Sequence, residues 1–305
     1  MLRIALVHNE RAGSKQHLAS DLVRIFRGLG HETEAYGRDS AGLLRVLNSR
    51  ADVVVVSGGD GTVSRVAIAL CGADTPIFVL PSGTSNNVAS SVGAVSGTIR
   101  TLAGHLSSAR MTRLDVWRIA GDGYETCFVE SAGTGVIGTM FDEHERRTRR
   151  WVRRLRWQLS RKVDLWESTA RHVAHLLRRE TPRWIDIRAD GDDLSGEYIT
   201  VEAMNIRAIG PRVVLAPNAD PGDGMLDLVL VTPAERDELA DHIESRGAST
   251  SMLTARARRV RRIELDWPEK ATHVDDERWP SDKATRRPRR VSIDMRGGVN
   301  LLIPD

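Results

Sequence analysis

The sequence predicts a two-domain α/β protein, in which a doubly wound parallel sheet is followed by a mostly β, sandwich-like domain. Three observations support this fold class. The chain has 305 residues, which is enough for two cores because domains usually run to roughly 100–200 residues. Apolar runs alternate with amphipathic segments as far as about Leu114, and shorter strand-like runs follow. We therefore expect a first domain over residues 1–114 and a second over residues 115–305, with the C-terminal residues able to return to the first.

The first domain is predicted from four apolar runs that are separated by segments of helical periodicity. Such alternation is typical of parallel strands joined by helices that cover the sheet. Four successive valines indicate a strand buried on both faces, and apolar residues at helical spacing follow it. The expected strands are Ile4–Val7, Glu32–Tyr36, Val53–Val56 and Ile77–Leu80.

The second domain is predicted from short runs rich in β-branched and aromatic residues, which favour strands. One stretch differs, because nine basic residues with interleaved tryptophans and leucines lie between His144 and Lys162 and indicate a helix. The expected strands are Asp115–Ile119, Thr126–Ser131, Trp184–Ile187, Tyr198–Met204, Met225–Val231, Arg261–Leu265 and Arg290–Met295.

Composition limits the class of protein. Lys plus Arg total 44 against 41 Asp plus Glu, so the net charge of +3 gives no general indication of nucleic-acid binding. Cys71 and Cys127 are the only cysteines, too few for a disulfide framework. The chain begins with a strand-like run and holds no uncharged apolar run of roughly 18–20 residues, so we expect a cytoplasmic protein that is not integral to a membrane.

A glycine-rich turn follows the valine strand and reads Gly58-Gly59-Asp60-Gly61-Thr62. Glycines at a strand-to-helix turn let backbone N–H groups approach an oxyanion, and the N-terminus of the next helix adds partial positive charge. Thr62 can cap that helix or bond a phosphate. The alternative is a tight turn without a ligand, which five specified residues after a buried strand disfavour. The motif therefore predicts a phosphate-binding turn.

The chain resembles the superfamily of diacylglycerol kinases and sphingosine kinases in this turn and in further segments. The turn itself resembles the nucleotide loop that these lipid kinases share with NAD kinases and, more distantly, phosphofructokinases. The further segments follow in the order of the family and span nearly the whole chain. They are Asn9 with Ala12-Gly13-Ser14, where Glu10 stands in place of the usual proline; Pro81-Ser82-Gly83-Thr84-Ser85-Asn86-Asn87; Leu215-Ala216-Pro217 with Asp220 and Asp223-Gly224-Met225-Leu226-Asp227; and Val274-Asp275-Asp276-Glu277, which resembles the catalytic Asp-Gly-Glu.

This resemblance implies an ATP- and Mg²⁺-dependent lipid kinase that transfers the γ-phosphate to the hydroxyl of diacylglycerol or a related lipid alcohol, in a cleft between two domains. Phosphoryl transfer needs in-line positioning, charge neutralisation and a carboxylate near the acceptor hydroxyl. We expect Glu277 to be the base, supported by Asp275, and Asp60 to lie near the phosphates and the magnesium. The nucleotide would be bound by Asn9, Gly58, Gly59, Asp60, Gly61, Thr62, Val63, Ser64, Gly83 and Thr84.

The loop from Asp220 to Met225 is the expected magnesium site. It combines turn residues with carboxylate and carbonyl oxygens, which hard cations prefer. By the resemblance, Asp223 gives its side chain, while Asp220 and Met225 give backbone oxygens. An ordinary Asp-Gly hairpin turn is the alternative, because a strand-like run follows.

Two positions depart from the family and keep other hypotheses open. Asn87 stands where many relatives carry Asp, and Asp276 replaces the glycine of Asp-Gly-Glu. If that glycine requires a positive φ, Asp tolerates the strain better than most residues. The departures support a lipid-binding homologue without catalytic activity as one alternative. An NAD-kinase-like enzyme with a soluble substrate is the other.

A second glycine-rich run, residues 133–138, formally matches the dinucleotide-binding fingerprint. The acidic residue about 20 positions later that this motif requires is missing, since an arginine run follows. We interpret residues 130–135 as part of the cleft lining, with a structural turn as an equal alternative.

The basic segment, residues 146–162, has two main interpretations. It is either a solvated helix whose aromatic residues pack on the second domain, or a surface that docks on anionic lipid. In the second case each basic side chain contributes roughly 1 kcal/mol, and Trp151 and Trp157 suit the membrane interface. Docking would place the protein at the inner face of the membrane. Nucleic-acid binding is not expected, because no recognition fold accompanies the arginines.

Overall fold

The structure is a computed structural model, and it describes residues 1–9, 18–94, 97–141, 165–210, 213–245, 257–266, 272–280 and 290–303. The chain divides into two compact units. The first unit contains Met1–Trp117, Asp220–Gly224 and Met295–Asp305, and the second contains Arg118–Ala219 and Met225–Asp294. Two segments that follow residue 114 in the chain thus belong to the first unit. The helix predicted for the basic segment lies outside the described residues.

The described residues form strands and helices in the following order. The strands are β1 (Arg3–His8), β2 (Glu32–Tyr36), β3 (Val53–Gly58), β4 (Ile77–Pro81), β5 (Arg110–Gly121), β6 (Tyr124–Phe128), β7 (Ser131–Gly135), β8 (Arg183–Ile185), β9 (Ile187–Ala189), β10 (Asp192–Asp193), β11 (Gly196–Tyr198), β12 (Thr200–Met204), β13 (Ala208–Ile209), β14 (Val213–Val214), β15 (Leu226–Val231), β16 (Ala257–Val260), β17 (Ile263–Asp266), β18 (Thr272–Val274), β19 (Glu277–Arg278) and β20 (Arg290–Ile303). The helices are α1 (Ala19–Gly28), α2 (Ser40–Leu47), α3 (Asp60–Ala69), α4 (Asn87–Ser91), α5 (Ile99–Gly104), α6 (residues 136–141), α7 (Leu165–Arg179) and α8 (Arg236–Glu244). Short 3-10 helices span His105–Ser108 and Pro233–Glu235.

The first unit is built on a parallel sheet with the strand order β4-β3-β1-β2. The C-terminal part of β20 pairs in parallel with β4. The direction of strand succession reverses between β1 and β3, because β2 lies on one side of β1 while β3 and β4 lie on the other. In open α/β sheets, ligands bind outside the carboxyl ends of the strands at such a switch point. The prediction of a doubly wound parallel sheet is confirmed.

Burial explains why these residues form this sheet. All six residues of β3 are buried, as the valine run predicts for a central parallel strand. On one face, α1 buries Leu22 and Phe26 against Ile4 and Val55 of the sheet. Leu22 and Phe26 are four residues apart, so they lie on the same side of the helix. Helix α1 is therefore amphipathic, because one side of it packs on the sheet and forms part of the core.

The second unit is largely β, as predicted. Its main sheet is antiparallel, in the order β16-β15-β12-β7-β18-β19. Helices α7 and α8 pack on it through a core that includes Val173, Leu177, Leu239 and Ile243. Strands β10, β9 and β17 form a further antiparallel ladder with the first residues of β20. Among the residues that the structure describes, no helix is long and apolar enough to cross a membrane.

Two of the predicted strands are divided in the structure by contacts with distant segments, and a third, Tyr198–Met204, has its first residue in β11 and its last five in β12. The run Thr126–Ser131 becomes β6 and β7, because the N–H groups of residues 129–131 donate to the carboxylate of Asp275. The run Trp184–Ile187 becomes β8 and β9, which pair with different strands, β11 and β17. Both runs carry the strand pattern, but tertiary hydrogen bonds decide where each strand ends.

Leu22→Ala should lower the free energy of unfolding by about 2–5 kcal/mol, because Leu22 is fully buried and its loss leaves a cavity. Leu44→Ala is the matched control, since the same atoms are removed from a side chain that is 60% exposed. The control should change stability by no more than about 0.5 kcal/mol. Denaturant titration of both variants measures the difference, and equal losses would contradict the assigned core.

Candidate active site

The residues that follow three parallel strands are joined by backbone hydrogen bonds at the switch point of the first unit. Asn9 follows β1, and its N–H donates to the carbonyl of Ser57 at 2.9 Å. Ser82 follows β4, and its N–H donates to the carbonyl of Gly58 at 3.0 Å. The predicted nucleotide-binding segments after β1, β3 and β4 are therefore neighbours in the structure.

The glycine-rich turn packs backbone against backbone on the loop after β4. A Cβ atom on Gly83 would lie 2.3 Å from the Cα atom of Gly59, and one on Gly58 would lie 2.6 Å from the side chain of Thr62. These distances exclude any side chain at positions 58 and 83 unless the backbone moves. Gly61 differs, because a Cβ there would meet nothing within 4 Å. The turn is thus closed on the side of Gly83 and open beside the start of α3.

The side chains of the predicted nucleotide-binding residues point in different directions. The Nδ2 group of Asn9 donates to Oγ1 of Thr62 at 3.3 Å, which connects the end of β1 to α3. Val63 and Ser64 are buried, so any contact of theirs with a ligand at the surface would come from the backbone. Thr84 is exposed.

Asp60 connects the two loops. Its buried carboxylate accepts a hydrogen bond from the N–H of Val88 at 2.9 Å, at the start of α4. Burial raises the pKa of Asp60, and hydrogen bonds from the backbone N–H groups of residues 86–88 oppose this increase. Asn86, at a left-handed φ of 53°, closes the same loop through reciprocal bonds between its amide and the backbone of Gly83. The loop after β4 is thus fixed by two side chains.

The predicted magnesium loop is anchored by Asp115, which the sequence predicts only as the first residue of a strand. Asp115 is fully buried, and its carboxylate accepts from the N–H of Gly224 at 2.7 Å and from Nε of Arg113 at 2.9 Å. Its own N–H donates to the carbonyl of Pro221 at 2.6 Å. Burial raises the pKa of Asp115, and the bonds from Gly224 and Arg113 oppose this. A single acid between Leu114 and Val116 was the signal in the sequence.

Asp220 and Asp223, the predicted metal-binding acids, have exposed side chains in this loop. Oδ1 of Asp220 accepts from the N–H of Gly222 at 3.0 Å, and Gly224 has a φ of 75° that favours glycine. No group of three His, Cys, Asp or Glu side chains suited to a metal occurs among the described residues. Magnesium ordinarily takes only one or two carboxylates and completes its shell with carbonyl oxygens and water. One carboxylate, that of Asp223, with the backbone carbonyls of Asp220 and Met225, fits that requirement.

The predicted catalytic acids lie in the second unit, in the hairpin of β18 and β19. Oδ1 of Asp275 accepts from the N–H of Glu130 at 2.8 Å and, with longer bonds, from those of Val129 and Ser131. Successive N–H groups of this kind form a concave site that suits an anion. The positive φ of the turn lies at Asp275, at 49°, and not at Asp276. The condition under which Asp276 would carry backbone strain is therefore not met.

Glu277 and the second glycine-rich run both lie in the second unit. The side chain of Glu277 is exposed at the start of β19. The run 133–138 does not form a turn, because β7 continues to Gly135 and α6 begins at the next residue. Gly133 faces the carboxylate of Glu202, which a Cβ would approach to less than 2.5 Å. Behind Asp275, Glu202 contacts His273. Neither residue belongs to a motif in the sequence.

Two family models match most of the chain between them. Residues 3–119 match the diacylglycerol kinase catalytic domain, and residues 145–289 match the YegS C-terminal NAD kinase beta sandwich-like domain. A diacylglycerol kinase of Mycobacterium tuberculosis is 25% identical over 258 residues, which cover 83% of this chain and 77% of that protein. A diacylglycerol kinase of Bacillus subtilis is 24% identical over 248 residues, which cover 78% and 76%. Lipid kinase YegS of Escherichia coli K12 is 29% identical over 193 residues, which cover 60% and 57%.

The fold has a counterpart among solved structures. A crystal structure of a diacylglycerol kinase from Bacillus anthracis superposes with a TM-score of 0.67 over 99% of this chain and 96% of that chain. The sequence identity is 18%, so this likeness concerns the fold alone.

Gly83→Ala should weaken ATP binding by at least about tenfold and lower the free energy of unfolding by about 1–3 kcal/mol, the usual range for overpacking. The reason is that the added Cβ would lie 2.3 Å from the Cα of Gly59, so the two loops must separate. Gly28→Ala is the control, because a Cβ there meets nothing within 4 Å. Calorimetry with ATP and thermal unfolding measure both effects. Unchanged affinity in Gly83→Ala would show that nucleotide binds elsewhere.

Proposed function

We propose that this chain, which belongs to the bacterial lipid kinase superfamily that includes the diacylglycerol kinases, transfers the γ-phosphate of ATP in a Mg²⁺-dependent reaction to the hydroxyl of diacylglycerol or a related lipid alcohol. Membership of the family establishes the class of enzyme, a lipid kinase. The phosphate donor follows from that class. The magnesium ion, the acceptor and the residue roles are inferred from the site itself.

The backbone turn at the switch point is the observation that carries the proposal. It places Gly58, Gly59 and the N-terminus of the ten-residue helix α3 beside open space at Gly61. A helix N-terminus and closely approaching N–H groups bind phosphate without a dedicated cationic side chain. Asn9 and Asp60 fix the neighbouring loops and so keep the turn in one conformation. This arrangement supports ATP phosphates as the ligand.

The magnesium ion would supply positive charge to the phosphates. The carboxylate of Asp223 and the backbone carbonyls of Asp220 and Met225 are the groups of this chain that would hold it. Asp115 would not bind the metal itself. Its buried carboxylate accepts from the N–H of Gly224 and so fixes the conformation of the loop.

Glu277 is the proposed base. An exposed carboxylate can reach the hydroxyl of an incoming lipid, whereas Asp275 is engaged by three backbone N–H groups and would support its neighbour. In the reaction, the hydroxyl oxygen forms a bond to the γ-phosphorus, the bond from that phosphorus to the β-phosphate oxygen breaks, and the hydroxyl proton moves to Glu277. ADP and the phosphorylated lipid are the products.

The decisive experiment is to incubate the protein with radiolabelled ATP, Mg²⁺ and a mixed lipid extract, and in parallel with NAD. Label in a phospholipid supports the proposal and identifies the acceptor. Label in NAD would instead support an NAD-kinase-like enzyme, and no transfer to either would indicate a lipid-binding homologue without activity. Omitting Mg²⁺ tests the metal requirement.

Asp60→Asn and Glu277→Gln should each reduce kcat by at least about 100-fold, the usual effect of losing a charge-stabilising or proton-transfer group. Each change keeps the size of the side chain, so the fold should persist by circular dichroism. Glu197→Gln, at an exposed carboxylate on β11, is the control and should be near normal. Near-normal turnover in either of the two variants would remove its residue from the mechanism.

Asp60→Asn should also differ from the unaltered protein in the pH dependence of its activity. Burial raises the pKa of Asp60 above the ordinary 3.8. The proposed role needs Asp60 in its ionised form. As the pH decreases, Asp60 should therefore take up a proton, and kcat/KM should fall, at pH values that are still above 3.8. The residual activity of Asp60→Asn should lack this decline.

Contact with anionic lipid through the basic segment is the second part of the proposal, and its basis is the sequence. Replacing Arg149, Arg150, Arg153 and Arg154 with Gln should weaken binding to anionic vesicles by up to about 4 kcal/mol, at about 1 kcal/mol for each charge. Binding of the unaltered protein should weaken with salt, as the screening length falls to about 8 Å near physiological strength.

The control carries the same change in net charge at exposed arginines of the first unit, Arg3, Arg24, Arg45 and Arg100. It should bind vesicles normally. Activity of the Arg149–Arg154 variant should fall more on a bilayer substrate than on a short-chain soluble analogue. An equal loss on both substrates would mean that the basic segment does not serve membrane contact.

A further inference from the structure

A fully buried histidine and glutamate lie directly behind the hairpin that carries Asp275. The two ring nitrogens of His273 both face acceptors: Nδ1 is 2.9 Å from the carbonyl oxygen of Asp275, and Nε2 is 2.8 Å from Oε2 of Glu202. Both side chains are 0% exposed. The proposed mechanism uses neither of them.

This geometry fixes the protons of the pair. The carbonyl of Asp275 can only accept, so Nδ1 of His273 must carry a proton in the hydrogen-bonded state. A second proton must lie between Nε2 and Oε2 of Glu202, because without it a lone pair would face a carboxylate in the interior. The pair therefore shares one proton and keeps Nδ1–H directed at Asp275, whichever of the two atoms holds the shared proton.

The surroundings are built to accommodate the pair. Gly133 on β7 leaves the space that the carboxylate of Glu202 occupies, since a Cβ would lie 1.9 Å from Oε2. Oγ1 of Thr200 lies 3.3 Å from Oε1 of Glu202. The ring of Phe141, in α6, lies 5.0 Å from the imidazole of His273, measured between ring centroids. Glu202 and Asp275 are the charged groups that act on His273.

These charges decide the protonation of His273. Burial lowers the pKa of His273, but the carboxylate of Glu202, its hydrogen bond and the contacts with Asp275 outweigh burial and raise the pKa above its ordinary value. A raised pKa of this kind means that the stabilising contact is complete below the unfolded-state value of 6.5 and is lost as pH rises through the folded-state value.

Asp275 needs such support because its backbone is strained. Its φ of 49° lies in the left-handed region, which costs a non-glycine residue free energy unless neighbouring contacts hold it. Asp275 is held at three points: its N–H donates to the carbonyl of Ser131 at 2.7 Å, its carboxylate accepts from Glu130, and its carbonyl accepts from His273. Of these contacts, only that with His273 is made by a fully buried side chain.

We propose that Glu202 and His273 are positioning residues, a buried proton-sharing pair that holds the Asp275 turn in the conformation that presents its carboxylate to the N–H groups of residues 129–131 and presents Glu277 to the acceptor. Only the effect on turnover rests on the proposed function. The effect on the conformation of the turn does not.

The first test is amide hydrogen exchange in the full chain, because it needs no activity. Exchange of the N–H groups of Glu130 and Asp275 should accelerate by at least about tenfold in Glu202→Gln and in His273→Gln, as the turn opens locally. Val201→Ala is the control, since Val201 is a buried neighbour on β12 whose side chain points to the other face. It should destabilise the sheet without selective acceleration at these two amides.

The protonation of His273 gives a second readout. In the unaltered protein, ¹⁵N spectra should show both ring nitrogens protonated at pH values above 6.5, with the signal assigned by its absence in His273→Gln. In Glu202→Gln, burial remains while the carboxylate is lost, so the ring should lose its proton at a lower pH than in the unaltered protein.

Kinetics then test the connection to catalysis. Each variant should lower kcat on lipid by about tenfold or more while KM for ATP stays within about twofold, and the double variant should be no worse than the single ones because the residues act as a unit. Because the contact is lost as pH rises through the folded-state pKa of His273, kcat of the unaltered protein should decline at high pH, and this decline should move to lower pH in Glu202→Gln.

The outcomes separate the two proposals. If exchange and protonation behave as described but no lipid is phosphorylated by the unaltered protein, the proposed function fails and the positioning pair stands. If exchange at Glu130 and Asp275 follows only overall stability, as in Val201→Ala, or if the pH dependence of His273 is the same in Glu202→Gln, the positioning pair is overturned. In that case the two residues serve packing alone.

Discussion

Hydrogen bonds from backbone N–H groups to carboxylates hold the loops on which the candidate site depends. Asp60 binds the N–H of Val88, Asp115 binds that of Gly224, and Asp275 binds that of Glu130, at 2.7–2.9 Å. Hydrogen bonds to a charged group contribute about 1.5–3 kcal/mol each. They also offset the cost of removing the carboxylate from water, which raises the pKa of Asp60 and of Asp115. Each acid thus determines the shape of a loop.

This arrangement explains why the loops can be short and rich in glycine. The backbones of Gly59 and Gly83 lie so close that a Cβ atom on Gly83 would be 2.3 Å from the Cα atom of Gly59. Glycine itself has few conformational restraints. The restraint comes from Asp60, Asn86 and Asn9, whose side chains fix neighbouring backbone groups. A phosphate-binding turn needs N–H groups at defined positions, and these contacts supply the definition without placing a side chain in the space that a ligand would use.

In the second unit the same principle extends into the interior. Asp275 is held by N–H groups on one side and by His273 on the other, and His273 is in turn held by Glu202. A buried polar network is stabilising when every member has a partner and costly when one is lost. Its presence behind a strained turn indicates that the conformation of that turn is strongly constrained.

The sequence by itself determined the two kinds of domain, the four strands β1 to β4 of the first domain and the glycine-rich turn, because each of these follows from local patterns. Four successive valines favour a strand buried on both faces, and glycines after such a strand indicate close approach of the backbone. The family resemblance also identified Asp60, Asp220, Asp223, Asp275 and Glu277 as the acids to consider.

Only the tertiary structure decided what those acids contact. Asp115 and Glu202 are each the only acid in their strand. Nothing nearby in the sequence shows that one meets Gly224 and the other His273, residues more than 70 positions away. The same holds for the division of the run Thr126–Ser131, which Asp275 imposes from a distant hairpin. Local pattern reflects propensity and burial, whereas hydrogen bonds between distant segments depend on how the sheet brings them together, and this is why the sequence named the acids while the fold assigned their partners.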